Sequence, residues 1–209
     1  MKIKAFHFNP LQVNCYVCYD ANECIIIDPA CTSEIEYNQL FDFIEKENLV
    51  VKHIVITHPH IDHIVGSNRV CKHYDLPLTM HKDGEEILKM APLHAMALGM
   101  KLDSVPENLT FIDENDTIKF GESLLRIVYT PGHADGSICL IDDVEKTVFT
   151  GDVLFNGSIG RTDLVTGDFQ KLIQSIQTKL LILSDDYIVR PGHGGRTSIG
   201  NERLNNPYF

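Results

Sequence analysis

The sequence predicts an α/β protein in which two β-sheets are flanked by helices. Three observations carry that prediction. Short apolar or alternating runs recur ten times along the chain, with the β-branched and aromatic content of strands. Two segments place their apolar residues at helical spacing instead. The strands also do not alternate one by one with helices, so two sheets with external helices fit better than a single parallel sheet.

In chain order the strand-like runs are "IKAFHF", "CYVCY", "CIIID", "HIVIT", "LTMH", "TIKF", "LLRIVYT", "SICLID", "TVFTGD" and "YIVRPG". The first helix is expected to begin at Ser33. There Ser33 and Glu36 have capping-box spacing, and Tyr37, Leu40, Phe41 and Ile44 form an apolar stripe. A shorter helix is expected from about Ile64 into "CKHYD". The segment 85–102, "EEILKMAPLHAMALGMKL", is rich in methionine. It reads as a helical insertion packed on the body or at an oligomer contact, with an adaptable lid over a substrate as the alternative. The last helix follows Asp168, with Phe169, Leu172, Ile173, Ile176 and Leu180 at helical spacing.

At 209 residues the chain suits a single domain, 1–209, with a real core. Its net charge of −11, from 18 basic and 29 acidic residues, argues against nucleic acid as a partner. No apolar run approaches the roughly 18 residues of a membrane span, and "MKIKAFHFNP" has no signal-peptide core. The six cysteines form no dense framework, so a cytoplasmic location is expected. Cys15 and Cys18 make a Cys-x-x-Cys, but on a strand they face opposite sides and no second pair completes a zinc site. A structural role is expected for them. The sequence assigns no oligomeric state.

The functional signal lies at the strand ends. "HIVIT" runs into His58, His60, Asp62 and His63, "RIVYTPG" into His133, "TVFTG" into Asp152, and "YIVRPG" into His193. Four apolar runs thus each end in a short turn that presents a metal-ligating side chain, and strands hold such turns with little freedom. Imidazole and carboxylate suit borderline divalent ions: zinc first, with iron or manganese as alternatives. Seven ligands exceed what one tetrahedral ion needs. Two ions would use them, about 3.5–4 Å apart with a bridging carboxylate. The expected division is His58, His60 and His133 on one ion and Asp62, His63 and His193 on the other, with Asp152 bridging. With a bridging hydroxide, such a centre keeps a net charge of about +1 and offers a nucleophile near neutral pH, while stabilising a developing oxyanion. Consistently, no Gly-x-Ser-x-Gly elbow or phosphate-binding loop is present. The remaining histidines, His7, His53, His73, His81 and His94, lack this context and are expected to be solvated or structural.

These ligand motifs resemble the signature of the metallo-β-lactamase superfamily. The resemblance implies an αββα sandwich with the metals along one edge, and it supports the same ligand partition. Asp28, ending "CIIID", matches a position near the metals; it is expected either to orient a ligand histidine or to form a plain strand-end turn. "GDVLFNGSIGRTDL", "GDFQKLIQSIQTKLL" and the tail "RPGHGGRTSIGNERLNNPYF" further resemble short, single-domain glyoxalase II-like hydrolases. That likeness implies hydrolysis of a small-molecule thioester such as S-lactoylglutathione, with Asp62 or Asp152 handling the proton. A thiolate of pKa near 8.5 leaves without a dedicated acid. Only the residues from Gly194 to Phe209 follow His193, so the C-terminal helical domain of full-length glyoxalase II is not expected. Arg161 is expected to pair with Asp163, or else to meet a substrate carboxylate.

Other members of the fold give alternatives: a mononuclear-iron persulfide dioxygenase, which would use His58, His133 and Asp152, or a hydrolase of lactones or other esters. A β-lactamase fits less well, because its familiar subclasses lack the bridging aspartate.

Overall fold

The computed structural model describes residues Met1 to Phe209. The first sheet holds β1 (Lys2–Phe8), β2 (Val13–Asp20), β3 (Glu23–Ile27), β4 (Val50–Val55), β5 (Leu78–His81) and β6 (Leu109–Ile112), paired in that order. Its first three strands are antiparallel, and β3 to β6 are parallel. The crossovers carry α1 (Glu34–Lys46), α2 (Ile61–Ile64), α3 (Ser67–Tyr74), α4 (Glu85–Lys89) and α5 (Ala91–Ala97).

Four strands continue the chain: β7 (Thr117–Phe120), β8 (Ser123–Tyr129), β9 (Ile138–Asp142) and β10 (Thr147–Gly151). A small hairpin, β11 (Leu154–Phe155) and β12 (Ser158–Ile159), then precedes α6 (Phe169–Ser175), β13 (Ile188–Pro191), β14 (Thr197–Ser198) and α7 (Ile199–Asn205). The second sheet runs β14-β13-β10-β9-β8-β7. No helix is long and apolar enough to cross a membrane.

Three buried clusters define the layers. Between the sheets lie Tyr16, Cys18, Ile25, Ile27 and Val55 from the first and Phe120, Ile127, Leu140 and Phe149 from the second. Outside the first sheet, Val17, Ile26 and Ile54 pack against Leu40, Ile44, Val70 and Leu88 of the helices. Outside the second, Ile141 and Val189 meet Leu172, Ile176 and Ile199. Helix, sheet, sheet, helix: this is the expected αββα sandwich. A fully buried large apolar side chain is worth about 1.5–3 kcal/mol, so the many at the inter-sheet seam keep the sheets from sliding. The strand ends on the rim are fixed accordingly.

Local expectations hold in most places. Ser33 caps α1 with its side chain and Glu36 closes the capping box. Cys15 and Cys18 fall into different clusters on the two faces of β2, and all six cysteines are buried thiols. The short helix expected from Ile64 instead begins at Ile61, and it breaks before α3. At the break the Gly66 N–H donates to Pro29 O at 3.1 Å, so close that an added Cβ would sit 2.5 Å from that oxygen. The last helix passes into a π turn over Ile176–Leu180, closed by the Leu181 N–H on Ile176 O at 2.8 Å. Strand β6 was not expected; it is a parallel edge strand with no buried residue, so its sequence lacks the apolar run that marks a covered strand.

Candidate metal centre

Strands β8, β10 and β13 are mutually parallel in the second sheet, so their carboxyl ends open on one rim. Strand β4 of the first sheet ends beside them, where the Ile138 N–H donates to Thr57 O at 2.8 Å. The four ligand-bearing turns therefore meet at one edge. His60 caps α2, and the His63 and Ile64 N–H groups donate to its carbonyl at 3.0 and 3.3 Å. The dense "HPHIDH" segment thus forms a single helical turn at the strand end.

All seven predicted ligands come together there. Ligand atoms of His58, His60 and His133 lie within 4.8 Å of one another, as do those of Asp62, His63 and His193. Asp152 stands between the groups: Oδ1 is 3.3 Å from His63 Nε2, and Oδ2 is 3.8 Å from His133 Nε2 and 3.5 Å from His193 Nε2. Asp152 also forms a third such group with His58 and His63, which joins the other two.

The histidines are oriented by their outer nitrogens. His63 Nδ1 lies 2.9 Å from Asp28 Oδ2, His133 Nδ1 2.8 Å from Arg161 O, and His193 Nδ1 2.9 Å from Leu11 O. Each acceptor draws a ring proton to Nδ1, so that Nε2 is the nitrogen turned to the cluster and the one available to a metal. His58 is fixed one step further out. Thr57 Oγ1 gives its only proton to Asp28 Oδ2 at 2.7 Å, so it accepts from His58 Nδ1 at 3.1 Å. His58 Nε2 and Asp152 Oδ1 are then buried with no hydrogen-bond partner. Such orphaned acceptors are costly, and further imidazole nitrogens converge on the same point. His133 Nε2 and His60 Nδ1 face each other at 2.9 Å, and the Nε2 atoms of His63 and His193 at 3.3 Å. A donor set of this kind fits divalent cations.

Charge divides the cluster into unlike halves. Burial drives the His58 proton affinity well below the ordinary imidazole range, reinforced by neighbouring histidines. It pushes His60 down to about 3, with His133 adding to the effect, and it lowers His133 itself. Burial opposes a proton on His63 too, but the carboxylates of Asp152, Asp62 and Asp28 outweigh it and raise His63 well above that range. His193 is raised in the same way, against burial, by Asp62 and Asp152. Both carboxylates are held low despite burial, chiefly by the charge of His63.

Asp28 fills both of its expected roles: it ends a strand in the left-handed region at φ 51°, and its carboxylate binds His63 and Thr57. Arg161 pairs with Asp163 through Nε and Nη2 at 2.7 and 2.8 Å, while its carbonyl orients His133. Sequence reasoning passed over Thr57 and the backbone acceptors, since a carbonyl carries no residue signature. It also placed His94 among the solvated or structural histidines, yet His94 lines the cavity above the centre. The 85–102 segment packs through Ile87, Leu88, Ala91 and Ala95, as expected of an insertion on the body, and it walls that cavity through His94, Ala97 and Leu98 but through none of its methionines.

Gly192, preceding His193, admits no side chain. A Cβ there would lie 2.6 Å from His63 Cε1 and closer still to Asp152 Oδ1. Gly192→Ala is therefore expected to keep its circular dichroism spectrum and lose about 10–100-fold in metal affinity, the scale of a displaced ligand support. Competition titration against a chelating dye measures this; unchanged affinity would mean the ligands tolerate displacement.

Comparison with known proteins agrees with the fold. The family model of the metallo-beta-lactamase superfamily matches residues 8–193. "Hydroxyacylglutathione hydrolase GloC" of Haemophilus influenzae is 35% identical over 100% of this chain and 98% of its own length. Among solved structures, TTHA1623 in a di-iron-bound form superposes with a TM-score of 0.89 at 30% identity, covering 99% of this chain and 100% of that one. The BLEG-1 B3 metallo-beta-lactamase gives 0.87 at 31%, covering 99% of each.

Proposed function

Because the chain belongs to the metallo-β-lactamase superfamily and draws seven metal-ligating side chains onto one rim, we propose that it is a two-metal hydrolase acting on an acyl thioester. The observation that supports this most is the pair of complete three-residue ligand groups with Asp152 between them. His58, His60 and His133 would hold one ion, Asp62, His63 and His193 the other, and Asp152 would touch both. Two divalent ions there would lower the pKa of shared water towards roughly 7 and stabilise charge on a carbonyl oxygen.

The chain's own residues then have defined tasks. Thr57, Asp28, Arg161 O and Leu11 O hold four imidazoles in the tautomer that presents Nε2. Asp152 and Asp62 stay ionised beside the reacting carbonyl and can take the proton released from the attacking water. In hydrolysis, water oxygen bonds to the acyl carbon, the carbon–sulfur bond breaks, and acid and thiol result. No acid need protonate the leaving sulfur, since a thiolate is stable enough to depart. S-lactoylglutathione is the first member of the class to test, given the likeness to a hydroxyacylglutathione hydrolase. Zinc is the first candidate metal; the di-iron-bound neighbour makes iron the next.

The test is hydrolysis of a small panel of thioesters by metal-quantified protein, scored by thiol release. Turnover that needs metal and consumes no oxygen supports the proposal. A single tightly bound iron, oxygen uptake with a glutathione persulfide and no thiol release would assign the chain to the dioxygenases instead.

A further inference from the structure

Above the candidate ligands the fold leaves an open cavity of about 610 Å³, a volume typical of small-molecule sites. His60, Asp62, His133, Asp152 and His193 line one side of it, and its walls are apolar: Leu11, Ile61, Ile87, Leu98, Leu164 and Val165. Four of these are large side chains left open to solvent, Leu11 at 49%, Leu98 at 60%, Leu164 at 40% and Val165 at 56% exposure. An isolated exposed leucine needs no explanation, but several converging on one opening mark a binding surface.

They converge from three separate segments. Leu11 sits between β1 and β2, and its carbonyl also holds His193. Leu98 follows α5. Leu164 and Val165 ride on the turn after Arg161, whose carbonyl meets His133 Nδ1 at 2.8 Å and whose far end is tied twice. The Asp135 N–H donates to Thr166 Oγ1 at 2.9 Å and the Asp168 N–H to Gly132 O at 2.8 Å. Thr166 itself stands at φ 67°, a conformation that a β-branched residue adopts only under constraint. The turn therefore holds its two apolar side chains at the opening.

Polar recognition is sparse by comparison. Apart from the ligands, the cavity is lined by only two polar residues, His94 and Arg161, and no lysine. Arg161 already spends Nε and Nη2 on Asp163. A glutathionyl group carries two carboxylates and an ammonium, and this wall offers them little. A hydrocarbon chain attached to the reacting carbonyl would instead begin at the ligands and run along Ile61, Ile87 and the leucines. Resting on the thioester reading above, we infer that the preferred substrates carry a neutral aliphatic acyl chain, and that Leu98 and Val165 set this preference.

The test compares metal-loaded protein on S-acetyl-, S-butanoyl- and S-hexanoyl-N-acetylcysteamine, S-hexanoylglutathione and S-lactoylglutathione. kcat/KM is expected to rise about two- to fourfold per added methylene, the scale of burying a CH2 group. S-hexanoylglutathione should exceed S-lactoylglutathione by about tenfold or more, which separates the acyl preference from any effect of the thiol. Leu98→Gln and Val165→Gln, both at exposed positions where folding is not at stake, should each cut the hexanoyl-to-acetyl ratio about threefold. A ratio within twofold of unity in the wild type, or S-lactoylglutathione as the best substrate, overturns this inference and leaves the thioesterase reading standing. No turnover of any of these thioesters by protein holding two metals overturns both.

Discussion

Asp152→Ala is expected to fold like the wild type and to lose about 10²–10³-fold in metal-dependent hydrolysis, the scale of removing one preorganised electrostatic element. The carboxylate reaches His63, His133 and His193 from between the two ligand groups, so its loss removes the proposed shared ligand while leaving the histidines in place. The fold has little stake in it. Its oxygens face only the ligand imidazoles, and the neighbouring Val153 and Leu154 supply the packing of this turn. Circular dichroism and thiol-release kinetics on the same preparation separate the two effects. Turnover near the wild-type rate would remove Asp152 from the mechanism.

Metal uptake is expected to occur in two steps with different pH dependence. Metal competes with protons for imidazole lone pairs. His60 is pushed down to about 3, and His58 and His133 also lie below the ordinary range. That group therefore has few protons to displace near neutral pH, and its affinity should vary the less with pH. His63 and His193 have raised proton affinities and must release protons as an ion enters. Each proton displaced weakens apparent affinity about tenfold per unit fall in pH, for as long as the pH stays below the raised pKa. The second step should therefore weaken about tenfold or more from pH 7 to 6, while the first changes less. Calorimetric titration of metal-free protein at both pH values measures this; equal slopes for the two steps would contradict the division.

The parts of this molecule legible in its sequence are those where chemistry restricts the residue. Only a few side chains ligate a divalent ion, so His58, His60, Asp62, His63, His133, Asp152 and His193 stand out, and the strands before them locate their meeting point. Capping is similarly restricted, which made Ser33 and Glu36 readable. Recognition through the backbone leaves no such mark. The carbonyls of Leu11 and Arg161 orient two histidines whatever side chains those positions carry. Thr57 was hidden for a related reason: a threonine ending a strand is ordinary, and its relay between Asp28 and His58 exists only once β3 and β4 lie side by side. The apolar cavity wall was hidden as well. Leu11, Leu164 and Val165 lie in turns with no periodicity to read, and each matters only because the sandwich brings separate turns to one edge.

The central claim, a two-metal centre that hydrolyses thioesters, is tested most directly by titrating metal-free protein with zinc at pH 7.5 and following thiol release at each addition. Activity should stay low through the first equivalent per chain, rise through the second and then level off. Full activity at one equivalent, or none at any ratio with two ions bound, would contradict it.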